Sequence, residues 1–181
     1  RNIEDFLEPP KKNWKKIFRQ KIKSSYTQAT AGKMNYSYMR PSRRDMPVVL
    51  PGLIGYKPKL GILFDTSGSM SDDLLSECMG QVKHIAKNFD EIWFLSIDTE
   101  VHTFFKVKRI KDLFKNENVK GGGGTVLEPG FNKLKERRVD ICVAISDCFA
   151  SFGENPGFPV VWMCKKDSHG EPPWGQVVEI D

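Results

Sequence analysis

KLGILFDTSGSM, residues 59–70, is the stretch on which the reading of this chain turns. Leu60, Ile62, Leu63 and Phe64 make a short apolar run without polar alternation, the pattern of a strand buried on both faces of a parallel sheet. The run stops at Asp65, Thr66, Ser67 and Ser69, so it delivers oxygen-bearing side chains to one edge of the sheet it joins. Ser71, Asp72 and Asp73 then suit a helix cap, and Leu74, Leu75, Cys78, Met79, Val82, Ile85, Ala86 and Phe89 trace one helical face behind it.

The same alternation repeats downstream. EIWFLSID (91–98) reads as a second buried strand, and VHTFFKV (101–107) follows after so short a link that it must run antiparallel to it. IKDLFK (110–115) reads as a short helix, GGGGT (121–125) as a loop, and 128–138 as a helix that tolerates Pro129 in its first turn. VDICVAISD (139–147) is a third central strand. PVVWMC (159–164) and QVVEID (176–181) are two more, separated by a loop containing Pro172 and Pro173. Strands alternating with helices predict an α/β fold: a three-layer, open, mostly parallel sheet with helices on both faces and one antiparallel edge strand. Ligands of such sheets bind beyond the carboxyl ends of the strands, where the strand order reverses.

Upstream of Lys59 the character differs. Trp14, Ile17, Phe18 and Ile22 recur near helical spacing among lysines in 11–25, which predicts a short amphipathic helix. Gly32, Pro41, Pro47, Pro51 and Pro58 then forbid a long helix and predict extended chain wrapped on a surface. The expected organisation is an N-terminal extension over 1–58 and a folded domain over 59–181. Residues 1–60 hold 14 Lys or Arg against 4 Asp or Glu, whereas the remainder holds 14 against 19. A basic arm therefore precedes a mildly acidic domain. Lys11, Lys12, Lys15, Lys16, Arg19, Lys21 and Lys23 could serve nucleic acid, or form a solvated helix face packed on the acidic domain.

Composition narrows the class. A hydrophobic content of 39% with 28% charged residues fits a globular protein rather than a disordered one. No apolar run approaches the roughly 18–20 residues of a membrane span. Acids interrupt Ile3, Phe6 and Leu7, unlike a secretory leader, and the chain opens on Arg1 rather than Met, which is compatible with a fragment or a processed chain. Cys78, Cys142, Cys148 and Cys164 lack any CxxC pairing, and three lie in apolar stretches, so core thiols in a reducing cytoplasm are expected. Trp14, Phe18, Trp93, Phe94 and Trp162 are expected in the core.

Three polar positions converge on one sheet edge: Asp65, Ser67 and Ser69 after the first strand, Thr125 after the glycines, and Asp147 after Ser146. Two carboxylates and three hydroxyls, with no sulfur or imidazole, make a hard-oxygen set suited to Mg²⁺, Mn²⁺ or Ca²⁺ and poorly suited to Zn²⁺. Mg²⁺ takes six ligands at about 2.0–2.1 Å and keeps waters readily, so few direct protein ligands leave a position open for an outside acid. Helix capping could account for one or two of these side chains, but not for oxygen donors at three separate strand ends.

Asp65-Thr66-Ser67-Gly68-Ser69 resembles the metal-ion-dependent adhesion motif, D-x-S-x-S, of von Willebrand factor A (VWA) domains, whose distant Thr and Asp are matched in order by Thr125 and Asp147. The resemblance covers about Lys59 to Asp181. It implies Ser67, Ser69 and Thr125 as metal ligands, Asp65 and Asp147 as carboxylates acting directly or through water, and an Asp or Glu of a partner protein completing the shell. Arg40-Pro41-Ser42-Arg43-Arg44 and Leu50-Pro51-Gly52 are similar, more loosely, to segments of bacterial VWA-like proteins associated with metallopeptidases. Those relatives often work beside AAA+ ATPases, so such a partner is implied. The chain has no HExxH, so no protease activity is assigned to it. Cys148 stands where Gly is common in the family, and the final helix that switches integrin domains is not evident.

Other chemistries fit less well. An aspartyl-phosphate phosphatase needs a second Asp where Ser67 stands. Gly121 to Gly124 lack the Lys-Ser/Thr of a phosphate loop and read better as a turn that brings Thr125 to the metal. His84, His102 and His169 read as surface residues rather than bases. The expectation is a non-catalytic, cation-dependent interaction module, with nucleic-acid binding through the basic arm, or a regulatory part of a larger metallopeptidase-like enzyme, as the alternatives.

Overall fold

A computed structural model describes residues 13–44, 47–66, 72–108, 125–165 and 170–180. Ser67, Ser69, the helix expected over 110–115, the four glycines, His169, Lys11 and Lys12 lie outside these residues.

The chain opens with α1 (Trp14–Thr30), β1 (Met34–Pro41) and β2 (Pro51–Gly55), followed by β3 (Leu60–Asp65), α2 (Asp72–Ala86), β4 (Ile92–Ile97) and β5 (Val101–Lys106). Then come β6 (Thr125–Val126), α3 (Glu128–Glu136), β7 (Ile141–Ser146), β8 (Ala150–Ser151), β9 (Val160–Lys165) and β10 (Gln176–Ile180). Six strands form the central sheet in the order β10-β9-β7-β3-β4-β5. All neighbours run parallel except β4 and β5, whose short connection allows only the antiparallel pairing expected of it.

Every residue of β3 and β7 is buried, because alternate side chains enter two different cores. On one face Ile62, Phe64, Val143 and Ile145 pack with Trp14, Phe18 and Ile22 of α1 and Cys78, Met79 and Val82 of α2. On the other, Leu63, Cys142 and Ala144 pack with Phe131 and Leu134 of α3 and with Trp162. Helices thus cover both faces, and α1, drawn from the basic segment, supplies part of the first core. α3 lies very close to the sheet: a Cβ on Gly130 would come within 3.0–3.1 Å of the side-chain ends of Leu95, Ile97 and Leu63, so any larger residue would have to push these by a few tenths of an ångström. Four of the five aromatics expected in the core are buried; Trp93 is half-buried, its ring under the Arg137 guanidinium.

Two expectations are corrected. The segment after Gly32 doubles back as an antiparallel hairpin, pairing Met34–Ser37 with Gly52–Gly55 and Pro41 with Pro51. Its prolines fall at strand ends and in the turn, so the amides between them remain able to pair. Nor are all the cysteines thiols: Cys148 and Cys164 are joined in a disulfide, while Cys78 and Cys142 are free and buried. Ser146 is paired with Cys164 across β7 and β9, and the chain turns back two residues later at Cys148, whose φ is +63°. That turn, not any local spacing, brings the two sulfurs together. Burial pushes the Cys78 thiol up to about 12 and the Cys142 thiol higher still, which makes both unreactive.

Candidate metal centre

The chain leaves β3 through α2 to reach β4 on one side, and later reaches β7 on the other side through α3 on the opposite face. The strand order therefore reverses between β3 and β7, the place where ligands of such sheets bind beyond the carboxyl ends of the strands. Asp65 is the last residue of β3 and is fully buried. Phe64 pairs with Ile145, which sets Ser146, the last residue of β7, beside Asp65.

Hydroxyls reach both oxygens of that carboxylate. Ser146 Oγ donates to Asp65 Oδ2 at 2.6 Å, and Thr125 Oγ1 donates to Asp65 Oδ1 at 3.4 Å. Thr125 is brought there by β6, whose pairing with β8 sets it opposite Ala150 and whose Val126 amide bonds the Asp98 carbonyl at 2.8 Å. Ser146 Oγ also accepts the Cys148 amide at 3.0 Å, so the loop after β7 is fastened to the same hydroxyl. Asp147 is buried, and its carboxylate accepts the Phe149 amide at 3.0 Å.

Of the five residues singled out in the sequence, Asp65 and Thr125 thus touch, and Asp147 follows the serine that touches Asp65. Ser67 and Ser69 follow Asp65 in sequence but lie outside the described residues. No group of three or more His, Cys, Asp or Glu side chains that could hold a metal occurs among the described residues. The donors gathered at this edge are instead carboxylates mixed with hydroxyls, a set whose chemistry fits a hard divalent cation.

Two further polar residues at this edge escaped the sequence reading. Ser146 is a hydroxyl ending a fully buried strand, level with Asp65, and the register alone could have flagged it. Asp98 follows β4 just as Asp65 ends β3 and Asp147 follows β7, so three parallel strands deliver an Asp to one edge. Asp98 accepts the Glu100 amide at 3.0 Å, His102 Nε2 at 2.8 Å and the amide and hydroxyl of Thr99. The Glu100 amide, then the His102 side chain, bring its carboxyl down to about 2. His102 is exposed, as expected of a surface residue, and its ring is paired with Asp98.

Fold and edge together define a three-layer α/β domain with an oxygen-rich strand edge at its topological switch point. Residues 60–181 match the sequence model of the VWA-like domain family (DUF2201), and the chain belongs to that family. It is also similar to an uncharacterized protein of Thermotoga maritima, 29% identical over 139 residues. That alignment covers 73% of this chain and 32% of the relative, so the chain spans about a third of the relative's length. No helix among the described residues is long and apolar enough to cross a membrane.

Proposed function

We propose that this chain is a non-catalytic, divalent-cation-dependent protein-interaction module. Asp65, Ser67, Ser69, Thr125 and Asp147 would hold one Mg²⁺, with Mn²⁺ or Ca²⁺ as substitutes, and leave a coordination position for an Asp or Glu of a partner protein. The observation that carries this reading is the hydrogen bond between Thr125 and Asp65, residues 60 positions apart, at the sheet's switch point. Membership of a VWA-like family supports it. The chain's own residues prepare the site: Ser146 orients the Asp65 carboxylate, and the Asp147 carboxylate is fixed against the Phe149 amide. A bound cation would supply charge and an open coordination position. An AAA+ ATPase is the class of partner, and a larger metallopeptidase-associated protein the setting, that the looser likeness of residues 40–44 and 50–52 to bacterial VWA-like proteins suggests.

Calorimetric titration with Mg²⁺ and Mn²⁺ tests the site. One saturable site in the native chain, absent from Asp65→Ala, is expected. Unchanged binding in that variant, or no binding of either cation by the native chain, would overturn the assignment.

A further inference from the structure

A second surface lies at the opposite edge of the sheet, away from Asp65. Between α1 and the end of α2 runs a trough of about 670 Å³ whose floor is Ile22, Ile85 and Phe89, with Tyr26 packed edge-on against Phe89 at 5.8 Å. Its rim carries Arg19, Lys23, Lys57, His84 and Lys87, and among the described residues no acid lines it. Arg19 is braced by Gln81, whose Oε1 accepts its Nε and Nη2 at 3.3 and 3.0 Å; this leaves further guanidinium N–H groups in a fixed orientation. Among the described residues Lys23, Lys57 and Lys87 have no ion-pair partner.

The trough continues at both ends. Sharing Arg19 and Lys23, a hollow of about 430 Å³ extends it past Lys15 and Lys16. Sharing Tyr26 and Lys57, another of about 610 Å³ extends it under the hairpin to Arg40, Lys59 and Tyr56. Among the described residues eight Lys and Arg side chains line the three hollows against one acid, Asp90; two of the eight are already paired, Lys15 with Glu77 and Lys59 with Glu91, which leaves the others to carry the charge. Along α1 alone, Lys16 to Tyr26 spans about 15 Å at the helical rise of ~1.5 Å per residue. That is a path for a chain, not a pocket for one small anion.

We infer that this trough binds a single-stranded nucleic acid, its phosphates on Lys23, Lys57, Lys87 and Arg19 and a base against Tyr26. The reading rests on positive charge strung along a groove with aromatic rings between the charges, the arrangement that tracks a phosphodiester backbone without regard to sequence. It is independent of the metal centre, and it gives the excess of basic residues in 1–60 a place in the fold. An acidic polypeptide matches the charge but makes no use of the rings.

The test is fluorescence anisotropy of the full chain with a labelled oligothymidylate or oligouridylate of about twelve nucleotides, within the usual site sizes. Titrations at about 50 and about 200 mM salt, with and without EDTA, give the slope of log K against log salt, which falls by about 0.7 for each phosphate contact removed. Salt-sensitive binding that ignores EDTA is expected. The triple variant Lys23→Glu, Lys57→Glu, Lys87→Glu should bind at least tenfold more weakly, with a shallower slope, while its circular dichroism and its Mg²⁺ titration match the native chain. Lys23→Gln should show a smaller loss of the same kind. No binding at low salt overturns the proposal. So does displacement by polyglutamate as effective, charge for charge, as displacement by unlabelled oligonucleotide, because the trough would then be reading carboxylates.

Discussion

Asp65 and Asp140 stand at opposite ends of neighbouring strands, and the chain treats the two carboxylates differently. Asp140, just before β7, takes the Tyr56 hydroxyl at 2.7 Å, the Lys33 ammonium at 2.8 Å and the Lys59 amide at 2.9 Å. Burial works against its charge, but these donors outweigh it and hold the carboxyl below its ordinary range. The Tyr56 hydroxyl is pushed up to about 12, by burial first and then by its bond to Asp140. Asp65 is fully buried and takes neutral hydroxyls from Ser146 and Thr125. The amino edge is therefore built as a staple, tying the base of the hairpin to the sheet, while the carboxyl edge gathers hydroxyls on a buried carboxylate.

The largest expected effect concerns what fastens the carboxyl edge. The Cys148–Cys164 bridge closes a loop of 16 residues, and loops of that size are stabilised by about 3 kcal/mol on cross-linking. Urea denaturation of the oxidised chain against the Cys148→Ala, Cys164→Ala double variant should show a loss of that order. Equal midpoints would mean that the hydrogen bond from the Cys148 amide to Ser146 holds the loop without help.

Next in size is the staple itself. Asp140→Asn keeps the shape but turns an acceptor oxygen into an NH₂ facing the donors gathered there, and removes the charge opposite Lys33. A loss of about 2 kcal/mol is expected, as for hydrogen bonds to a charged group. Most of it should come from Tyr56 and the Lys59 amide, since the Lys33 end is half exposed. The pH dependence has a definite sign. A carboxyl lowered in the folded state contributes its stability above its unfolded value, near 3.8, and loses it as pH falls through the folded value. The native chain should therefore lose its margin over Asp140→Asn below about pH 4. A constant margin down to pH 2 would remove Asp140 from the account.

The two edges also differ in how far the sequence reveals them. β3, β4 and β7 announce themselves as apolar runs ending in or at an Asp, because burial on both faces leaves no room for polar alternation and the carboxyl edge is where polar side chains resume. Asp65 and Asp147 are legible for the same reason, and Thr125 as the hydroxyl that follows the run of four glycines. The staple is not: Asp140 meets Lys33 and Tyr56 across 107 and 84 residues, and local periodicity carries no trace of such pairings. The disulfide, the hairpin and the small β6–β8 pair share that origin, since each is made by chain return rather than by a local pattern. The basic residues of α1 were visible as composition, but the trough exists only once α1 lies beside α2.

The smallest expected change in stability is the sharpest test of the contrast, because it applies the substitution used at Asp140 to Asp65. Asp65→Asn preserves volume, and its amide can still accept from Ser146 and meet the Thr125 hydroxyl, so these two hydrogen bonds do not require a charged side chain. Without divalent cation, stability should stay within about 1 kcal/mol of the native chain, or rise. With saturating Mg²⁺ the native chain should gain thermal stability and the variant should not, because a ligand that binds only the folded state stabilises it in proportion to its affinity. A loss of about 2 kcal/mol or more in EDTA, matching Asp140→Asn, would make Asp65 a second staple. The two edges would then be alike, and the carboxyl edge would owe its oxygen atoms to folding instead of binding.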